Sequence, residues 1–524
     1  MSLTGAAAPT AGDLAAEATR PGVSVPSLKF LSRDLTASIV VFLVAMPLCM
    51  GIAVASGVAP EKGLITGIIG GLVVGMLAGS PLQVSGPAAG LAVIVFELIR
   101  DKGLSALGPI LVLAGLIQVI AGVAKLGGWF RAISPAVVHG MLAGIGCLIV
   151  AGQFHVLFDA KPLPSGLQNL AAMPERVLGL TPGNISATEL AFGIGILTIV
   201  AMIGWEKLRP ASLRLVPGAL IGVATGTLFA LVFGLEVARV QVPASITAAV
   251  TLPESGFLSY WTDPSILAAA LAIAFIASAE TLLSAAAVDK MHAGVRTDYN
   301  KELRAQGIGN LLCGMAGALP MTGVIVRSSA NVQANAATRA SAILHGVWIL
   351  GFVVALPFVL RAIPMAALGA ILVVTGWRLV NIVHVRHLLR DYGVLPAVIW
   401  AATLLTVVVE DLLTGVLVGI GLSLLELVPH LRRLRLKVHE SAADTHHAIR
   451  LDGAATFVSL PKLSDTLDRV PAGMPVRLDV TGLSAVDHTS AEMLRDWFQR
   501  RKAGGSSVEV TGESPRIAAL AAAH

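Results

Sequence analysis

"SPLQVSGPAAG" occupies residues 80–90 and interrupts an apolar part of the chain with glycine, proline and polar residues. A similar stretch, "ALPMTGVIVRSSAN", occupies residues 318–331. Each leads into an apolar segment that is too short to cross a hydrocarbon core of roughly 30 Å as a straight helix. Non-helical backbone at this depth is tolerated only where it lines a cavity or is buried in protein. We therefore predict two half-helices that begin inside a membrane.

The composition supports a membrane setting for the whole chain. Of its 524 residues, 55% are hydrophobic and 13% are charged, and the mean hydropathy is +0.81. Soluble domains have about 45–50% apolar and about 25% charged residues. The three cysteines are isolated, which argues against disulfides and zinc. Basic residues flank the apolar segments, so the pI near 9.2 reflects membrane orientation and no nucleic-acid partner is predicted.

About fourteen apolar segments follow one another along the chain. The two broken stretches enter the third and the tenth, which are the third members of two groups of seven. This correspondence predicts a seven-plus-seven inverted repeat with a binding site at the midplane, the repeats covering residues about 35–234 and 264–428. The alternative is that glycine and proline are simply common in membrane helices.

The ends of the chain differ from the middle in composition. Residues 1–28 are predicted to form a disordered cytoplasmic tail and residues 29–437 the membrane domain. Basic loops alternate along the chain in a way that places both termini in the cytoplasm, in a bacterial inner membrane. Residues 446–524 predict a small α/β domain, in which "HAIRLDGAATFVSL" is interpreted as strand, turn, strand and "SAEMLRDWFQRRKAGG" as a helix.

A helix that begins in mid-membrane offers unpaired N–H groups and the positive end of its dipole, which together favour an anion. Arg327, about one turn into the tenth segment, adds positive charge. The predicted anion-binding residues comprise the two breaks and this arginine: Ser85, Gly86, Pro87, Ala88, Ala89, Gly323, Val324, Ile325 and Arg327.

One acid, Glu280, lies in the eighth segment, within "IAFIASAETLLSAAAVDK" at residues 273–290. An ionisable group at the bilayer centre costs roughly 2.5–3.5 kcal/mol, so it needs a function or a partner. Glu280 and Ser284 are one helical turn apart and are predicted to bind a sodium ion, or Glu280 alone a proton. The alternative is a structural ion pair between Glu280 and Arg327.

Three further stretches carry expectations. In "VAMPLCMGIAVASG" (44–57), Pro47 predicts a break in the first helix that aims Cys49 and Met50 at the same cavity. The charged stretch "DKMHAGVRTDYNKELRAQGIGN" (289–310) is interpreted as a solvated cytoplasmic connection. "DHTS" (487–490) cannot form a catalytic triad by adjacency, and the chain is not predicted to be an enzyme.

Taken in order, several stretches resemble the sulfate permease family, also called solute carrier family 26. They are "DLTASIVVFLVAMPLCMGIAVASGV", "GSPLQVSGPAAG", "AETLLSAAAVDKM", "NKELRAQGIGN", "RSSANVQA" and "RLDVTGLSAVDHTSAEML". The resemblance implies a homodimer of fourteen-segment protomers with core and gate domains, an architecture shared with nucleobase permeases, and a C-terminal STAS-like domain. It also implies an elevator movement of the core, with the anion between segments three and ten.

The resemblance places Glu280 where the family carries an acid and Ser284 at the hydroxyl that completes a sodium site. It leaves sodium or a proton as the coupling ion and implies no other cofactor. Leu48 stands where many members have glutamine, and "PLCMGIA" resembles bacterial members paired with carbonic anhydrases, which favours bicarbonate over sulfate and leaves a carbonic anhydrase open as a partner. The C-terminal domain ends at "AAAH", where the family has another helix, which favours dimer support or regulation as its role.

The alternatives within transport are proton symport of sulfate or a dicarboxylate, and anion exchange. A passive anion channel, or a membrane scaffold or sensor acting through the STAS-like domain, is the alternative from another class. Nucleobase permeases are disfavoured because they generally lack a STAS domain.

Overall fold

The computed structural model describes residues 30–512 except 131–133, 180–185, 242–245, 254–255, 293, 381–385, 387–388, 391–393, 427–435, 443–446, 457–458, 472–473 and 504. The predicted N-terminal tail therefore lies outside the described residues. Two compact units are present. The first contains described residues up to 125, 151–164 and 168–374, and the second contains 126–150, 165–167 and those from 375 onward.

The membrane part is built from helices with two very short strands among them. In chain order these are α1 (Leu31–Ala55), α2 (Pro60–Ile69), β1 (Ser85–Pro87), α3 (Ala89–Lys102), α4 (Leu107–Val123), α5 (Gly127–Phe130), α6 (Pro135–Val156), α7 (Gly166–Leu178), α8 (Ala187–Leu208), α9 (Gly218–Val232), α10 (Pro264–Met291), α11 (Tyr299–Met315), β2 (Met321–Gly323), α12 (Ile325–Gln333), α13 (Ala340–Ala355), α14 (Pro357–Ala362), α15 (Met365–Leu379), α16 (Val394–Val409) and α17 (Leu412–Glu426).

Each predicted apolar segment overlaps one of these helices. Among the described residues, six helical stretches are long and apolar enough to cross a membrane, and five shorter apolar helices accompany them. Helix α7 was not predicted, because its mean hydropathy is low and its polar residues suggest a loop. The predicted fold class, a polytopic helical membrane protein followed by a small α/β domain, is confirmed.

Helix α1 contradicts the prediction of a break at Pro47. The helix runs without interruption from Leu31 to Ala55, with Pro47 inside it. Proline removes one backbone donor, but neighbouring helices and local adjustments re-satisfy the freed groups in membrane proteins. Cys49 and Met50 are therefore held on a continuous helix and are fully buried.

The helices begin in two different ways. Helix α8 starts with a capping box between Ser186 and Glu189. Helix α11 is capped by Asp298, whose carboxylate accepts hydrogen bonds from the backbone amides of Asn300 and Lys301. The half-helices α3 and α12 instead follow Ala88 and Val324, which provide no side-chain cap. Only the half-helices among these four thus leave their first turns open to other partners.

Glycines bring α4 and α11 into close contact. A Cβ atom added to Gly115 would lie 2.5 Å from the Gly307 carbonyl oxygen, and one added to Gly307 would lie 2.7 Å from the Gly115 oxygen. Gly108 and Gly314 repeat this mutual contact two turns away. Small residues that allow backbones to approach are a principal source of helix association in lipid. This packing fixes the position of α11, which carries several residues of the site described below.

The C-terminal domain contains one mixed four-stranded sheet. Its elements are β3 (Lys437–Ala442), β4 (His447–Ala455), α18 (Leu460–Asp468), β5 (Val476–Val486), α19 (His488–Ala503) and β6 (Val508–Thr511). The strand order is β3-β4-β5-β6, with the first pair antiparallel and the others parallel. Leu478, Leu494 and Trp497 belong to its buried core.

The predicted helix in "SAEMLRDWFQRRKAGG" is confirmed as α19, and the prediction at β4 is wrong. "HAIRLDGAATFVSL" does not form a strand, turn and strand, because β4 continues through Gly453 as one strand with an irregular register against β5. Gly453 has a φ of 106°, which a glycine adopts without strain. The first strand, β3, begins at Lys437, inside the range assigned above to the membrane domain. The closing "AAAH" lies outside the described residues.

Gly307→Ala should destabilise the protein by about 1–3 kcal/mol, because its new methyl group would overlap the α4 backbone. Gly351→Ala in α13 is the matched control, since an added Cβ there meets nothing within 4 Å. Thermal unfolding in detergent, monitored by size-exclusion chromatography of heated samples, should show a lower melting temperature for Gly307→Ala and an unchanged or higher one for Gly351→Ala. Equal melting temperatures for the two variants would contradict the close α4–α11 contact.

Candidate functional site

Strands β1 and β2 form an antiparallel pair that brings the two broken stretches together. Ser85 lies opposite Gly323, and Pro87 lies opposite Met321. The Val324 amide donates to the Val84 carbonyl oxygen over 2.9 Å, which extends the pairing by one residue. Helix α3 starts directly after β1 and α12 directly after β2, so the predicted anion-binding residues are neighbours in space.

The backbone donors at this junction are fewer than predicted. The Gly323 amide donates to the Thr281 hydroxyl over 3.1 Å, and the Val324 amide is used by Val84. Gly323 and Val324 therefore do not offer free amides in this structure. The uncapped first turns of α3 and α12 remain as donors apart from the Gly90 amide, which binds the Glu280 carboxylate, and the side chain of Ile325 at the start of α12 is exposed.

Arg327 has the largest fully buried side chain among the described residues, with 0% exposed surface. Within this described part of the chain, Nε, Nη1 and Nη2 all lack a hydrogen-bond partner. Its guanidinium lies over β1, because a Cβ added to Gly86 would fall 2.0 Å from Nη1. Cys49 and His345 are the titratable side chains that interact with it electrostatically. A positive charge is thus held beside β1 without a counter-ion from the described residues.

Glu280 approaches the same junction from α10. Its carboxylate accepts a hydrogen bond from the Gly90 amide in the first turn of α3. Any side chain at Gly90 would collide with it, since an added Cβ would lie 2.8 Å from both carboxylate oxygens. Oε2 is buried without a hydrogen-bond partner in the described structure. The alternative ion pair with Arg327 is not formed here, because no guanidinium nitrogen has a partner among the described residues.

Ser284 follows Glu280 by one turn of α10 and is 2% exposed. The pair therefore shares one helical face, as predicted, and combines a carboxylate with a hydroxyl. Both are oxygen donors of the kind that hard cations prefer. Whether they bind sodium stays a prediction.

A buried polar stripe on α11 supports the strand pair. Glu302, Gln306 and Asn310 are spaced one turn apart and are all fully buried. The expectation that this stretch is a solvated connection is therefore wrong for these residues. Charged and amide residues at one-turn spacing resemble a solvated helix face in sequence, but here they face the protein interior.

Each residue of the stripe holds a different part of the junction. The Gln306 amide donates to the Ser85 hydroxyl over 2.5 Å and to Glu302 over 3.0 Å. The Glu302 carboxylate accepts from the Ser80 backbone amide over 2.9 Å. Asn310 bonds both backbone groups of Met321 in β2, at 2.7 and 3.1 Å.

Helices α10 and α12 hold the chain that precedes β1. The Thr281 carbonyl oxygen accepts from Gln83 Nε2 over 3.0 Å. The Ser328 hydroxyl accepts from the Val84 amide over 2.9 Å, and Asn331 Nδ2 donates to the Leu82 carbonyl oxygen over 3.0 Å. Together with α11, these two helices thus fix non-helical backbone that has no water to bind, as a membrane interior requires.

The residues predicted to line the cavity from α1 have different surroundings. Cys49 reaches the guanidinium of Arg327, whereas Pro47 and Met50 are buried on the same helix. A further residue, His345 of α13, was not predicted. It is fully buried, its Nδ1 bonds the Ala342 carbonyl oxygen, and its Nε2 has no partner among the described residues. No motif in the sequence marked it, because a lone histidine in an apolar segment carries no spacing signal.

Comparison with known proteins agrees with this architecture. The sequence model of the sulfate permease family matches residues 31–403, which include every residue of the site. The chain belongs to the sulfate permease family. A STAS-domain model, named for MlaB, matches residues 438–523. Both resemblances stated from the sequence are thereby confirmed, and the family consists of transporters rather than enzymes.

Individual relatives include proteins named for two different anions. YvdB of Bacillus subtilis (strain 168), which carries the name of a sulfate transporter, is 32% identical over 84% of this chain and 83% of its own length. The bicarbonate transporter BicA of Picosynechococcus sp. is 26% identical over 80% of this chain and 74% of its own length.

Solved structures agree on the fold. The transmembrane domain of a cyanobacterial BicA superposes with a TM-score of 0.64 at 21% identity, covering 75% of this chain and 98% of that domain. SLC26A9 superposes with a TM-score of 0.66 at 14% identity, covering 94% of this chain and 86% of that one. The protein is thus a multi-pass membrane transporter of the sulfate permease type, with an anion as its class of substrate.

Proposed function

We propose that the protein is a secondary active transporter of a small inorganic anion, with bicarbonate favoured over sulfate, and that Glu280 carries the coupling cation. The observation that supports this most directly is the unpaired, fully buried guanidinium of Arg327 at the junction of the two half-helices. Retaining such a charge costs about 2.5–3.5 kcal/mol or more. An anion beside Arg327 would offset that cost and would also meet the open helix N-termini.

Charge balance favours a monovalent anion. Arg327 contributes one positive charge and Glu280 one negative charge when it is ionised, so the empty site is neutral. A monovalent anion with one proton or sodium ion at Glu280 keeps it neutral. Sulfate would need two cations, or would leave a net negative charge in a medium of low dielectric constant, which is costly. Bicarbonate with one coupling cation is therefore the simplest neutral load.

The protein's own groups supply the coupling between cation and anion. The ionised Glu280 carboxylate occupies the Gly90 amide at the start of α3. A proton or a sodium ion would weaken that interaction and return the amide to the anion. Ser284 supplies a second oxygen if the cation is sodium. Binding of either ion would then favour binding of the other.

The movement proposed is an elevator displacement of the part that carries the site. Both strands, both half-helices, Arg327 and Glu280 belong to the first compact unit, which supports their movement as one body. A homodimer in a bacterial plasma membrane, with cytoplasmic termini, completes the proposal. A carbonic anhydrase would be a suitable partner, because it interconverts carbon dioxide and bicarbonate.

Two alternatives make different demands on the same site. Both proton symport of sulfate and anion exchange would keep Arg327 as an anion-binding residue. Sulfate symport would need more cations per anion, and exchange would be driven by a second anion instead of a cation. A passive channel, or a scaffold that signals through its STAS domain, would not need an acid at Glu280 at all. The effect of a gradient on uptake separates these classes.

Uptake of labelled bicarbonate and labelled sulfate into proteoliposomes should show concentrative accumulation of bicarbonate that depends on one cation gradient. The matched conditions are sodium against potassium outside, and two external pH values with sodium held constant. A sodium requirement identifies sodium as the coupling ion, and a requirement for an inward proton gradient identifies the proton. Accumulation of sulfate but not bicarbonate would contradict the assignment of bicarbonate as the substrate. Uptake that stops when the anion concentrations inside and outside are equal would support a passive channel.

Arg327→Gln should weaken anion binding by about 10- to 150-fold, because a hydrogen bond to a charged partner contributes about 1.5–3 kcal/mol. Isothermal titration calorimetry of the detergent-solubilised protein measures this change. Arg100→Gln is the control, since its exposed side chain pairs with Asp101 at the far end of α3. Equal anion affinity in the Arg327 variant and the unaltered protein would show that Arg327 does not bind the anion.

Glu280→Gln should abolish gradient-driven uptake and leave folding and assembly intact, since the amide keeps the size of the side chain but takes up no proton and offers sodium no negative charge. Proteoliposome uptake measures the first property and size-exclusion chromatography the second. Ser284→Ala separates the two cations, because it should raise the sodium concentration needed for half-maximal uptake only in a sodium-coupled protein. Concentrative uptake that survives Glu280→Gln would refute the coupling role.

A further inference from the structure

The side chain of Cys49 lies at the guanidinium of Arg327. Cys49 is on α1 and is 0% exposed, and its thiol lies near enough to Arg327 for the guanidinium to act on it. Gly67 of α2 leaves room for the sulfur, because a Cβ at that position would lie 2.8 Å from Sγ. The thiol is therefore fitted into a place that the neighbouring helix keeps open for it.

The guanidinium is not satisfied by this contact. A thiol is a weak hydrogen-bond acceptor, and none of the three Arg327 nitrogens meets a partner of normal geometry among the described residues. Its other titratable neighbour, His345, is also fully buried, and its Nε2 has no partner among the described residues. The remaining N–H groups of Arg327 thus require acceptors from outside the protein, and an anion that supplies them would also contact Cys49.

We propose that Cys49 is an anion-binding residue whose thiol forms the α1 wall of the site and contributes to the choice of anion. This inference rests on the anion site proposed above. A thiol offers one weak donor and a large polarisable sulfur in place of the stronger donor of a hydroxyl. It therefore limits the space beside Arg327 while giving little hydrogen-bond energy to strongly hydrated oxoanions such as sulfate.

The chain supplies its own control cysteines. Cys313 is also 0% exposed, but it belongs to a cluster of apolar side chains that includes Ile65, Val74 and Met321. Cys147 of α6 is half-buried. Single-cysteine proteins that keep only Cys49, only Cys313 or only Cys147 thus compare a thiol at Arg327 with one in an apolar core and one that is partly exposed.

The test is the rate of labelling with sulfonatoethyl methanethiosulfonate, an anionic reagent, on the full-length protein in proteoliposomes. The thiol sulfur of the protein attacks the thiosulfonate sulfur, a mixed disulfide forms, and methanesulfinate and a proton leave. The cationic trimethylammonioethyl reagent serves as the comparison, with each rate divided by that for free mercaptoethanol.

The protein that keeps only Cys49 should react faster with the anionic reagent than with the cationic one. Bicarbonate at about ten times its half-saturating concentration should slow this reaction about tenfold, since only the unoccupied fraction reacts. Arg327→Gln in the same background should remove both the preference and the protection. Cys313 and Cys147 should show neither.

Two results would overturn the inference. They are failure of Cys49 to react with either reagent, and a Cys49 reaction that saturating bicarbonate or sulfate does not slow although the same liposomes take up anion. Protection without concentrative uptake would instead leave Cys49 in an anion site while refuting the proposed active transport. The two proposals therefore fail separately.

Substitution at Cys49 provides a second measurement. Cys49→Ser puts a stronger donor beside Arg327 and should lower the KM for sulfate relative to that for bicarbonate by several-fold. Cys49→Ala removes the donor and should raise both KM values with a smaller change in their ratio. Identical KM ratios in the three proteins would show that the thiol takes no part in selection.

Discussion

The burial of the Arg327 guanidinium without a protein acceptor in the described structure is the constraint on which the site depends. In a low-dielectric medium such a charge is tolerated only if its surroundings are fixed and if a compensating charge arrives at the correct place. Gly86 makes room for the guanidinium, and the pairing of β1 with β2 holds Gly86 in place. The strand pair thus positions the charge and the two half-helix starts with respect to one another.

That strand pair is too short to be stable by itself. It is held by side chains that occupy three turns of α11, by Thr281 of α10 and by Ser328 and Asn331 of α12. The glycine contact between α4 and α11 sets the position of the first of these supports. A rigid junction of this kind gives anion donors that need no reorganisation on binding, which is the physical benefit of placing non-helical backbone deep in a membrane protein.

Much of this fold could be predicted from the sequence, because the signals were local. Gly86, Pro87 and Gly323 marked the two broken segments, because non-helical backbone is tolerated in a membrane only where it is buried in protein or lines a cavity. The solitary acid Glu280 marked the site, because lipid penalises an ionisable group. The prediction at Pro47 failed because lipid also forces the backbone to remain helical wherever neighbours permit it. The polar stripe of α11 was missed for a different reason. Its one-turn spacing is the same for a solvated face and a buried one, and only the partners Ser85, Ser80 and Met321 distinguish them.

The parts of the site that the sequence left open are those made by distant residues. Cys49 lies many helices before Arg327 in the chain and was predicted to line the cavity but not to adjoin the arginine, whereas His345, on the helix that follows α12, belongs to no motif. Their placement changes the chemistry of the pocket, because both are polar groups without a formal charge in their ordinary neutral forms, and neither can neutralise Arg327 as a carboxylate would. The carboxylate of Glu280 is held apart at Gly90. If Glu280 were paired directly with Arg327, neither group would need a ligand, and anion and cation would bind independently. Their separation across β1 and the first turn of α3 lets each retain an interaction that only its own ligand can complete, and the shared helix start links the two.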